Sequence, residues 1–295
     1  MGCFQLFGYL NIILRLKNNL ITVFTITYNC EQYVDRCYKS ILNQTYQNWI
    51  WLIIDDGSQD CTEIFINNLN DKRIHYHKIE FNVGRGKARN FGLSKVKSDW
   101  LAILDMDDLM LRTRLERFNN VINSGYDGLI SSTLLVDKKL EIKGIRNVIY
   151  DNYFDLFTHA TLCINTSILR SIGYSESRYA EDQRVIVLAP LYCKLENYDE
   201  PLYIYQEDAS INIQGAYFSN LYAFINLRTI ETSSNLNTFQ FRRFLYIYRF
   251  GIRAICLYLL TKFPFGDLIY NLLIQERPKD SFEKSEIRKE LNLYE

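Results

Sequence analysis

Short apolar runs alternate with longer stretches of helical periodicity from about residue 20 onward. Ile21–Thr27 and Trp49–Asp55 are rich in β-branched and aromatic residues, which is typical of buried strands. Between such runs, apolar residues recur every three or four positions, and this spacing predicts helices. Strands that alternate with helices on this scale predict an α/β fold, in which a mostly parallel sheet is flanked by helices.

The pattern divides the chain into three parts. Strands are predicted at Ile21–Thr27, Trp49–Asp55, Arg73–Ile79, Trp100–Leu104, Leu129–Val136 and Pro201–Tyr205. Helices are predicted at Glu31–Asn43, Asp60–Asn70, Gly84–Val96 and Asp182–Cys193, with a passage from strand to helix over Leu162–Ser171. From about Ala216 the periodicity is helical throughout. We therefore expect an N-terminal extension (1–19), a main α/β domain (20–215) and a helical C-terminal extension (216–295).

Polar side chains follow three of the predicted strands at the point where each strand ends. Tyr28 and Asn29 follow the first strand, Asp55–Ser58 mark the end of the second, and Asp105–Asp108 follow the fourth. The carboxyl ends of parallel strands meet at one edge of a sheet, and α/β proteins bind their ligands there. The sequence therefore predicts that these three clusters converge on one site.

The segment LAILDMDD, residues 101–108, places three carboxylates within four residues after an apolar run: Asp105, Asp107 and Asp108. Like charges at this spacing raise one another's pKa, so a positive partner stabilises them. Carboxylate and phosphate oxygens together are the usual ligands of Mg²⁺, and Mn²⁺ also prefers oxygen. One interpretation is a divalent metal that also holds a phosphate-containing ligand. A solvated acidic turn is the alternative that these residues alone leave open.

Charge and cysteine content narrow the class of protein. The 295 residues include 34 Lys+Arg and 34 Asp+Glu, so the chain has no global basic charge and we expect no nucleic-acid partner. The seven cysteines include no CxxC pair, which argues against a zinc site or a disulfide framework and favours a reducing, cytoplasmic compartment. Residues 1–20 have the pattern of neither a signal peptide nor a membrane span.

The segment Phe241–Lys262 has the pattern of a basic amphipathic helix. Its basic face carries Arg242, Arg249 and Arg253, and its apolar face carries Phe244, Tyr248, Ile252, Ile255 and Leu259. Such a helix can lie in the interface of an anionic membrane. The same apolar face can instead pack on the main domain, and the sequence leaves both alternatives open.

A series of motifs runs through the main domain in a fixed order. It comprises T-Y-N (Thr27–Asn29), S-I-L-N-Q-T-Y (Ser40–Tyr46), D-D-G-S (Asp55–Ser58), G-x-x-x-A-R-N-x-G (Gly84–Gly92), D-M-D-D (Asp105–Asp108), E-D (Glu181-Asp182) and E-P-L-Y-x-Y (Glu200–Tyr205). In this order the motifs resemble those of the inverting, nucleotide-sugar-dependent glycosyltransferases of family 2. The resemblance covers about two thirds of the chain and implies the GT-A fold, which is Rossmann-like.

The resemblance implies a set of donor-binding residues. Thr27, Tyr28 and Asn29 belong to this set, and the ring of Tyr28 is implied to pack against the nucleobase. Asp56 is implied to accept a hydrogen bond from the nucleobase, since a carboxylate suits a uracil-like ring with an N–H donor. Arg89 is implied to approach the phosphates, whose geometry its planar guanidinium matches.

The resemblance also implies a metal-binding and catalytic set. Asp105 and Asp107 are implied to hold the ribose and a Mn²⁺ or Mg²⁺ ion, and Asp108 is a further substrate-binding candidate. Asp182 is implied to be the general base, with Glu181 contacting substrate or orienting its neighbours. Asp182 directly precedes an apolar helical run, so the alternative role for Asp182 is a helix N-cap.

The predicted function is metal-assisted transfer, with inversion, of a single sugar from a nucleotide-diphosphate sugar to a saccharide acceptor. The resemblance implies a lipid-linked acceptor of a bacterial envelope polysaccharide, and so a cytoplasmic protein that can bind peripherally to the inner face of the membrane. Processive members carry a Q-x-x-R-W signature that this sequence lacks, which favours the addition of one sugar.

Two other functions are compatible with parts of the pattern. A nucleotidyltransferase also uses paired aspartates and a metal, but it predicts a Gly- and Arg/Lys-rich loop after the first strand. This chain has Tyr28–Glu31 at that position, which disfavours the nucleotidyltransferase. A catalytically silent scaffold that binds sugar nucleotides is disfavoured by the intact set of Asp105, Asp107 and Asp182.

Overall fold

The computed structural model describes residues 18–150, 155–177, 179–207, 213–228, 251–259 and 284–294. The strands are β1 (Ile21–Thr27), β2 (Trp49–Asp55), β3 (Ile74–Lys78), β4 (Trp100–Ile103), β5 (Leu109–Met110), β6 (Gly128–Val136), β7 (Ile142–Arg146), β8 (Ile149–Tyr150), β9 (Asp155–Leu156), β10 (Cys163–Asn165) and β11 (Leu195–Gln206). The α-helices are α1 (Val34–Leu42), α2 (Thr62–Asn68), α3 (Arg85–Lys95), α4 (Arg114–Asn123), α5 (Thr166–Ile172), α6 (Gln183–Tyr192), α7 (Ile213–Arg228) and α8 (Lys284–Leu291), and residues 251–259 are also helical.

Nine of the described strands form one mixed sheet in the order β3-β2-β1-β4-β10-β6-β11-β5, with β7 beside β6. β1 to β4 are parallel to their neighbours within that group. β10 is antiparallel to both β4 and β6, whereas β11 is parallel to β6. The predicted α/β fold with flanking helices is confirmed. Its parallel arrangement is continuous in the first half of the sheet, and the second half is mixed.

Helices cover both faces of the sheet, which explains why its central strands are apolar at nearly every position. In β1, Val23 packs in one core with Val34 of α1, whereas Phe24 packs in the other core with Leu93 of α3. Burial of a side chain of this size contributes about 1.5–3 kcal/mol. The two cores together hold the carboxyl ends of β1, β2 and β4 at one edge of the sheet.

The element bounds agree with the predicted ones where strands are fully buried. The predicted Ile21–Thr27 and Trp49–Asp55 are β1 and β2 without any change of bounds. The predicted strand Pro201–Tyr205 is only the second half of β11, because the more polar residues that precede it also pair with β6. The register shifts between Tyr198 and Tyr203 mark the irregular middle of this pairing.

The first helix and the predicted limits of the main domain can be compared with the observed elements. The first helix begins as a 3₁₀ turn at Glu31–Tyr33 and continues as α1. The predicted boundary between residues 215 and 216 lies inside α7, which begins at Ile213. Most of the predicted N-terminal extension (1–19) lies outside the described residues, which begin at residue 18.

Two helical segments of the C-terminal part pack at different places. Residues 251–259 lie against α7, where Leu257 contacts Ala216 and Tyr217. α8 lies behind the D-M-D-D loop, where Leu291 shares a small core with Leu109 of β5. Of these two segments, α8 therefore packs directly on the strands of the main domain, whereas residues 251–259 pack on α7.

The predicted amphipathic helix Phe241–Lys262 is only partly covered by the described residues, which include Arg253 but neither Arg242 nor Arg249. In the described part, three residues of the predicted apolar face are exposed to solvent: Ile252, Ile255 (62%) and Leu259. The prediction that this face packs on the main domain is therefore wrong for these three residues. Membrane contact stays a prediction. Within the described ranges, no helix combines the length and apolar character that spanning a bilayer requires.

Candidate active site

The loops that follow β1 and β2 are held together by hydrogen bonds. The backbone N–H of Asn29 donates to Ser58 Oγ (2.9 Å), and the backbone N–H of Asp56 donates to the carbonyl oxygen of Thr27 (2.8 Å). Asn29 has a φ of 52°, a left-handed conformation that asparagine adopts more readily than most residues. The predicted donor-binding residues Thr27, Tyr28, Asn29 and Asp56 therefore lie at neighbouring strand ends.

Tyr28 and Asp56 differ in their access to solvent. The Tyr28 side chain is 43% exposed, so its ring is open to stack on a planar ligand. Asp56 is buried, and its carboxylate accepts hydrogen bonds from the backbone N–H groups of Val83 (2.8 Å) and Gly84 (3.0 Å). Burial raises the pKa of Asp56. Each of its oxygens keeps a second lone pair, so the hydrogen bond to a nucleobase stays a prediction.

Asp105 follows β4 and forms an ion pair with Arg89 of α3. Arg89 Nη2 donates to Asp105 Oδ1 at 3.0 Å, and the Arg89 side chain is only 3% exposed. Burial alone would raise the pKa of Asp105, but the Arg89 guanidinium outweighs it, so that this pKa lies below its usual value. Asp105 is therefore ionised at neutral pH.

Asp107 is the exposed carboxylate of the D-M-D-D loop. Among the described residues, none donates a hydrogen bond to its carboxylate or pairs with it. Desolvation and the nearby charge of Asp105 raise the pKa of Asp107, and a divalent cation would offset both effects.

Asp105 and Asp107 fit a Mn²⁺ or Mg²⁺ ion that takes its other ligands from phosphates and water. In the part of the chain that the structure describes, no three His, Cys, Asp or Glu side chains form a metal site by themselves. The binding of a metal by Asp105 and Asp107 therefore stays a prediction, in which phosphate oxygens and water would supply the other ligands.

Asp108 is buried, and both of its oxygens are bound by β11. Oδ2 accepts from the Tyr203 hydroxyl (2.8 Å), and Oδ1 accepts from the backbone N–H of Gln206 (2.8 Å). The Tyr203 hydroxyl in turn accepts from the backbone N–H of Asp105 (3.1 Å). Asp108 therefore stabilises the loop that carries the other two aspartates, and its contact with substrate stays a prediction.

Glu181 reaches Arg89 because α3 approaches the segment before α6 very closely. A Cβ atom on Gly86 would lie 2.0 Å from the carbonyl oxygen of Ser175, so only glycine permits this approach. Glu181 Oε1 lies 3.8 Å from Arg89 Nε and 3.4 Å from Arg85 Nε. Arg89 therefore links Asp105 on one side to Glu181 on the other.

Asp182 occupies the N-cap position of α6, but its side chain makes no capping hydrogen bond. The turn that precedes Asp182 includes Ala180, whose φ is 53°. Residues other than glycine rarely adopt this backbone conformation. Burial and the neighbouring charge of Glu181 raise the pKa of Asp182 to about 6. A carboxylate that makes no cap and has a raised pKa can accept a proton near neutral pH.

A cleft of about 640 Å³ brings several of these side chains together. Four predicted site residues line it: Arg89, Asp105, Glu181 and Asp182. The predicted nucleobase-binding residues are not among its lining: Thr27, Tyr28, Asn29 and Asp56. The cleft therefore contains the predicted catalytic centre but lies apart from the nucleobase side.

Three basic residues of the lining lie outside the sequence motifs: Arg146, His159 and Arg253. His159 Nε2 lies 2.9 Å from the Tyr174 hydroxyl, and burial lowers the pKa of His159 to about 3, so the imidazole is neutral. None of the three belongs to a recognisable motif, and Arg253 has only the signal of a basic helix face. Their place in the site follows from tertiary packing.

The fold resembles that of two solved glycosyltransferases. S. aureus TarS 1–349, in complex with UDP-GlcNAc, matches with a TM-score of 0.60 at 19% identity, over 80% of this chain and 72% of that one. The mannosyltransferase PcManGT from Pyrobaculum calidifontis, in complex with GDP-Man and Mn²⁺, matches with a TM-score of 0.59 at 13% identity, over 93% and 84%. The fold is therefore of the GT-A class, as predicted.

A sequence model described as glycosyl transferase family 2 matches residues 22–173. This match covers more than half of the 295 residues, and the chain belongs to that family.

Two curated relatives illustrate how far the similarity extends. An uncharacterized glycosyltransferase of Haemophilus influenzae is 29% identical over 212 residues, which are 63% of this chain and 65% of that protein. The Escherichia coli UDP-Glc:alpha-D-GlcNAc-diphosphoundecaprenol beta-1,3-glucosyltransferase WfgD is 34% identical over 101 residues, 34% of this chain and 40% of WfgD. The chain thus spans less than two thirds of the length of these relatives.

Proposed function

We propose that this chain transfers a single sugar, with inversion, from a nucleotide-diphosphate sugar to a saccharide acceptor. One observation carries the proposal: Asp182, a half-buried carboxylate without a capping bond, lines the same cleft as the Asp105–Arg89 pair. A proton acceptor next to a donor-binding carboxylate is what a direct displacement at an anomeric carbon requires.

In the proposed reaction the acceptor hydroxyl attacks the anomeric carbon from the face opposite the leaving nucleotide diphosphate. Asp182 takes the proton of that hydroxyl while the glycosidic bond forms and the bond to the diphosphate breaks. Glu181 raises the pKa of Asp182 and pairs with Arg85 and Arg89, so it sets both the basicity of Asp182 and the position of the arginines.

Asp105 and Asp107 would hold a Mn²⁺ or Mg²⁺ ion, which as a Lewis acid neutralises the departing diphosphate. The exposed carboxylate of Asp107, with which no cationic side chain pairs in the described residues, supports this assignment, as does the Mn²⁺ in the PcManGT complex. Tyr28, with its exposed ring, is proposed to stack on the nucleobase of the donor.

The acceptor is proposed to be a lipid-linked saccharide, used in the assembly of a bacterial envelope polysaccharide at the inner face of the cytoplasmic membrane. The E. coli relatives WfgD and WfaP, both named for transfer to GlcNAc-diphosphoundecaprenol, support this proposal. The exposed side chains of Ile255 and Leu259 are suited to peripheral contact with lipid.

The test is a panel of UDP-, GDP- and dTDP-sugars, applied to the full chain with Mn²⁺, with Mg²⁺ and after treatment with a chelator. We expect one nucleotide class to raise the melting temperature and to be hydrolysed slowly, both only with metal. Asp107→Asn should weaken the metal-dependent shift, whereas Asp199→Asn, exposed and outside the cleft, should not.

Two results would count against the proposal. If no nucleotide sugar binds under any condition, the proposed function is wrong. If binding and hydrolysis persist unchanged after chelation, the metal assignment to Asp105 and Asp107 is wrong.

A further inference from the structure

Arg253 lines the cleft although it comes from a helix outside the sheet. Its helix is held in place by Leu257, which packs on α7 beside Ala216 and Tyr217. Arg253 itself is exposed, and in the described ranges no acidic side chain pairs with it. An arginine without an acidic partner at the wall of a catalytic cleft is a ready site for an anion.

The other arginines of the cleft are already engaged with acids. Arg89 pairs with Asp105 and Glu181, and Arg85 pairs with Glu181 as well. Arg146 Nη2 lies 3.5 Å from Glu207, and its guanidinium lies over the ring of Tyr205 at 5.3 Å.

Arg146 is 39% exposed and lines the same cleft as Arg253. An anion in this cleft is therefore within the space that both arginines line, and Arg253 is the one that pairs with no acid in the described ranges.

The position of the cleft decides which substrate carries that anion. The predicted nucleobase-binding residues lie outside the cleft, whereas the proposed base, Asp182, lines it. In an inverting transfer, the base lies where the acceptor hydroxyl enters, opposite the leaving group. The proposed donor-binding residue Asp105 lines the same cleft, so only the part lined by Arg146 and Arg253, which belong to none of the donor-binding motifs, is assigned to the acceptor side.

We infer that Arg253, together with Arg146, binds a phosphate group of the acceptor, which makes the acceptor a phosphorylated saccharide. This inference rests on the proposed function and names the acceptor chemistry and the side chains that recognise it. The guanidinium fork matches pairs of phosphate oxygens and gives the orientation that a single flexible ammonium would not. The phosphate can be the diphosphate of a lipid carrier or a phosphate ester of a soluble saccharide.

The first experiment uses glucose 1-phosphate as the probe. The full-length protein is saturated with Mg²⁺ and with the nucleoside diphosphate (UDP, GDP or dTDP) whose sugar binds best in the panel. Titration calorimetry compares wild type with Arg253→Ala and Arg253→Lys, and with Arg117→Ala, an exposed arginine outside the cleft. Because hydrogen bonds to charged groups contribute about 1.5–3 kcal/mol, we expect binding to weaken about 10- to 100-fold in Arg253→Ala. Arg253→Lys should restore part of the loss, Arg117→Ala should bind like wild type, and plain glucose should not depend on Arg253.

The results separate failure of this inference from failure of the proposed function. If Arg253→Ala binds glucose 1-phosphate like wild type while the nucleotide still binds, only the inference is overturned. If Arg253→Ala instead weakens the nucleotide diphosphate, Arg253 serves the donor and the inference is overturned. If wild type binds no nucleotide diphosphate at all, the proposed function itself has failed.

A second experiment identifies the source of the phosphate. The protein is sedimented with phosphatidylcholine vesicles that contain undecaprenyl diphosphate, and with vesicles that contain phosphatidylglycerol at equal charge. Arg253-dependent binding to the first vesicles alone assigns a lipid diphosphate, whereas binding of glucose 1-phosphate without vesicle binding assigns a soluble phosphate ester. Equal, Arg253-dependent binding to both vesicles would reveal a general anionic contact and would overturn the inference.

Discussion

The proposed donor side and the proposed acceptor side of the site are built in different ways. On the donor side, local hydrogen bonds hold the carboxylates: Asp55 accepts from the backbone N–H of Ser58 (2.7 Å) and from the Tyr76 hydroxyl (2.6 Å). On the acceptor side, Arg253 comes from a helix far along the chain and pairs with no acid in the described residues. The end of β2 on the donor side is therefore preorganised by hydrogen bonds to nearby residues, whereas long-range packing brings Arg253 to the acceptor side.

Arg89 joins the two sides. It pairs with Asp105 of the D-M-D-D loop and with Glu181, the residue before the proposed base. Within the described ranges, two of its nitrogens, Nε and Nη1, are buried without a hydrogen-bond acceptor, and the predicted contact of Arg89 with phosphate stays a prediction. Three changes test this comparison. They remove the carboxylate of Asp182, the guanidinium of Arg89, or the negative charge of Glu181 beside Asp182.

Removal of the Asp182 carboxylate should have the largest effect. Asp182→Asn is expected to lower turnover by ~10²–10⁴-fold, because general-base catalysis contributes that much, while the affinity for the nucleotide sugar stays unchanged. Initial rates and titration calorimetry measure the two quantities, and Asp199→Asn serves as the control. Retained turnover, or a lowered melting temperature that accounts for the loss, would assign Asp182 to support of α6 instead.

Removal of Arg89 should disturb both sides together. Arg89→Met leaves Asp105 and Glu181 without their buried partner, and such losses cost about 3–5 kcal/mol. Because Asp105 is 30% exposed, we expect the lower end of this range in the free energy of unfolding, measured with urea. Arg85→Met is the matched control, since Arg85 is 65% exposed and such pairs contribute at most about 1 kcal/mol. Equal losses of unfolding free energy in both variants would mean that Arg89 does not link the two sides of the site.

The pH dependence should show the smallest effect. Asp182 must be deprotonated to accept a proton, so kcat/KM should rise with pH and level off above about 6. Glu181→Gln removes a negative neighbour and lowers the pKa of Asp182. The rising limb of the kcat/KM profile should therefore shift to lower pH. The control is Glu176→Gln, an exposed acid of the same segment. A limb that stays in place, or moves to higher pH, would contradict the role of Glu181.

The donor side could be predicted from the sequence because its signals are local. The bounds of β1 and β2 follow from continuous apolar runs that end in turn residues. Arg89, Asp105 and Glu181 line one cleft because strand order brings their motifs to one edge of the sheet.

The acceptor side could not be predicted in the same way. Arg253 has the periodicity of a basic helix face, and only the packing of Leu257 on α7 brings it to the cleft. The sequence also suggested a substrate contact for Asp108 from its neighbours alone. The hydroxyl of Tyr203, 95 residues further along, donates a hydrogen bond to this carboxylate, and no local pattern reports this bond.

The packing of α8 behind the D-M-D-D loop has a consequence for how the protein folds. The backbone N–H of Arg112 donates to Glu290 Oε1 at 2.5 Å, across a sequence separation of 178 residues. Closing a loop of this size costs chain entropy and places the contact late in folding. On the ribosome, the loop emerges long before α8 exists. A growing chain therefore completes the support of its D-M-D-D loop only after the intervening residues have been made.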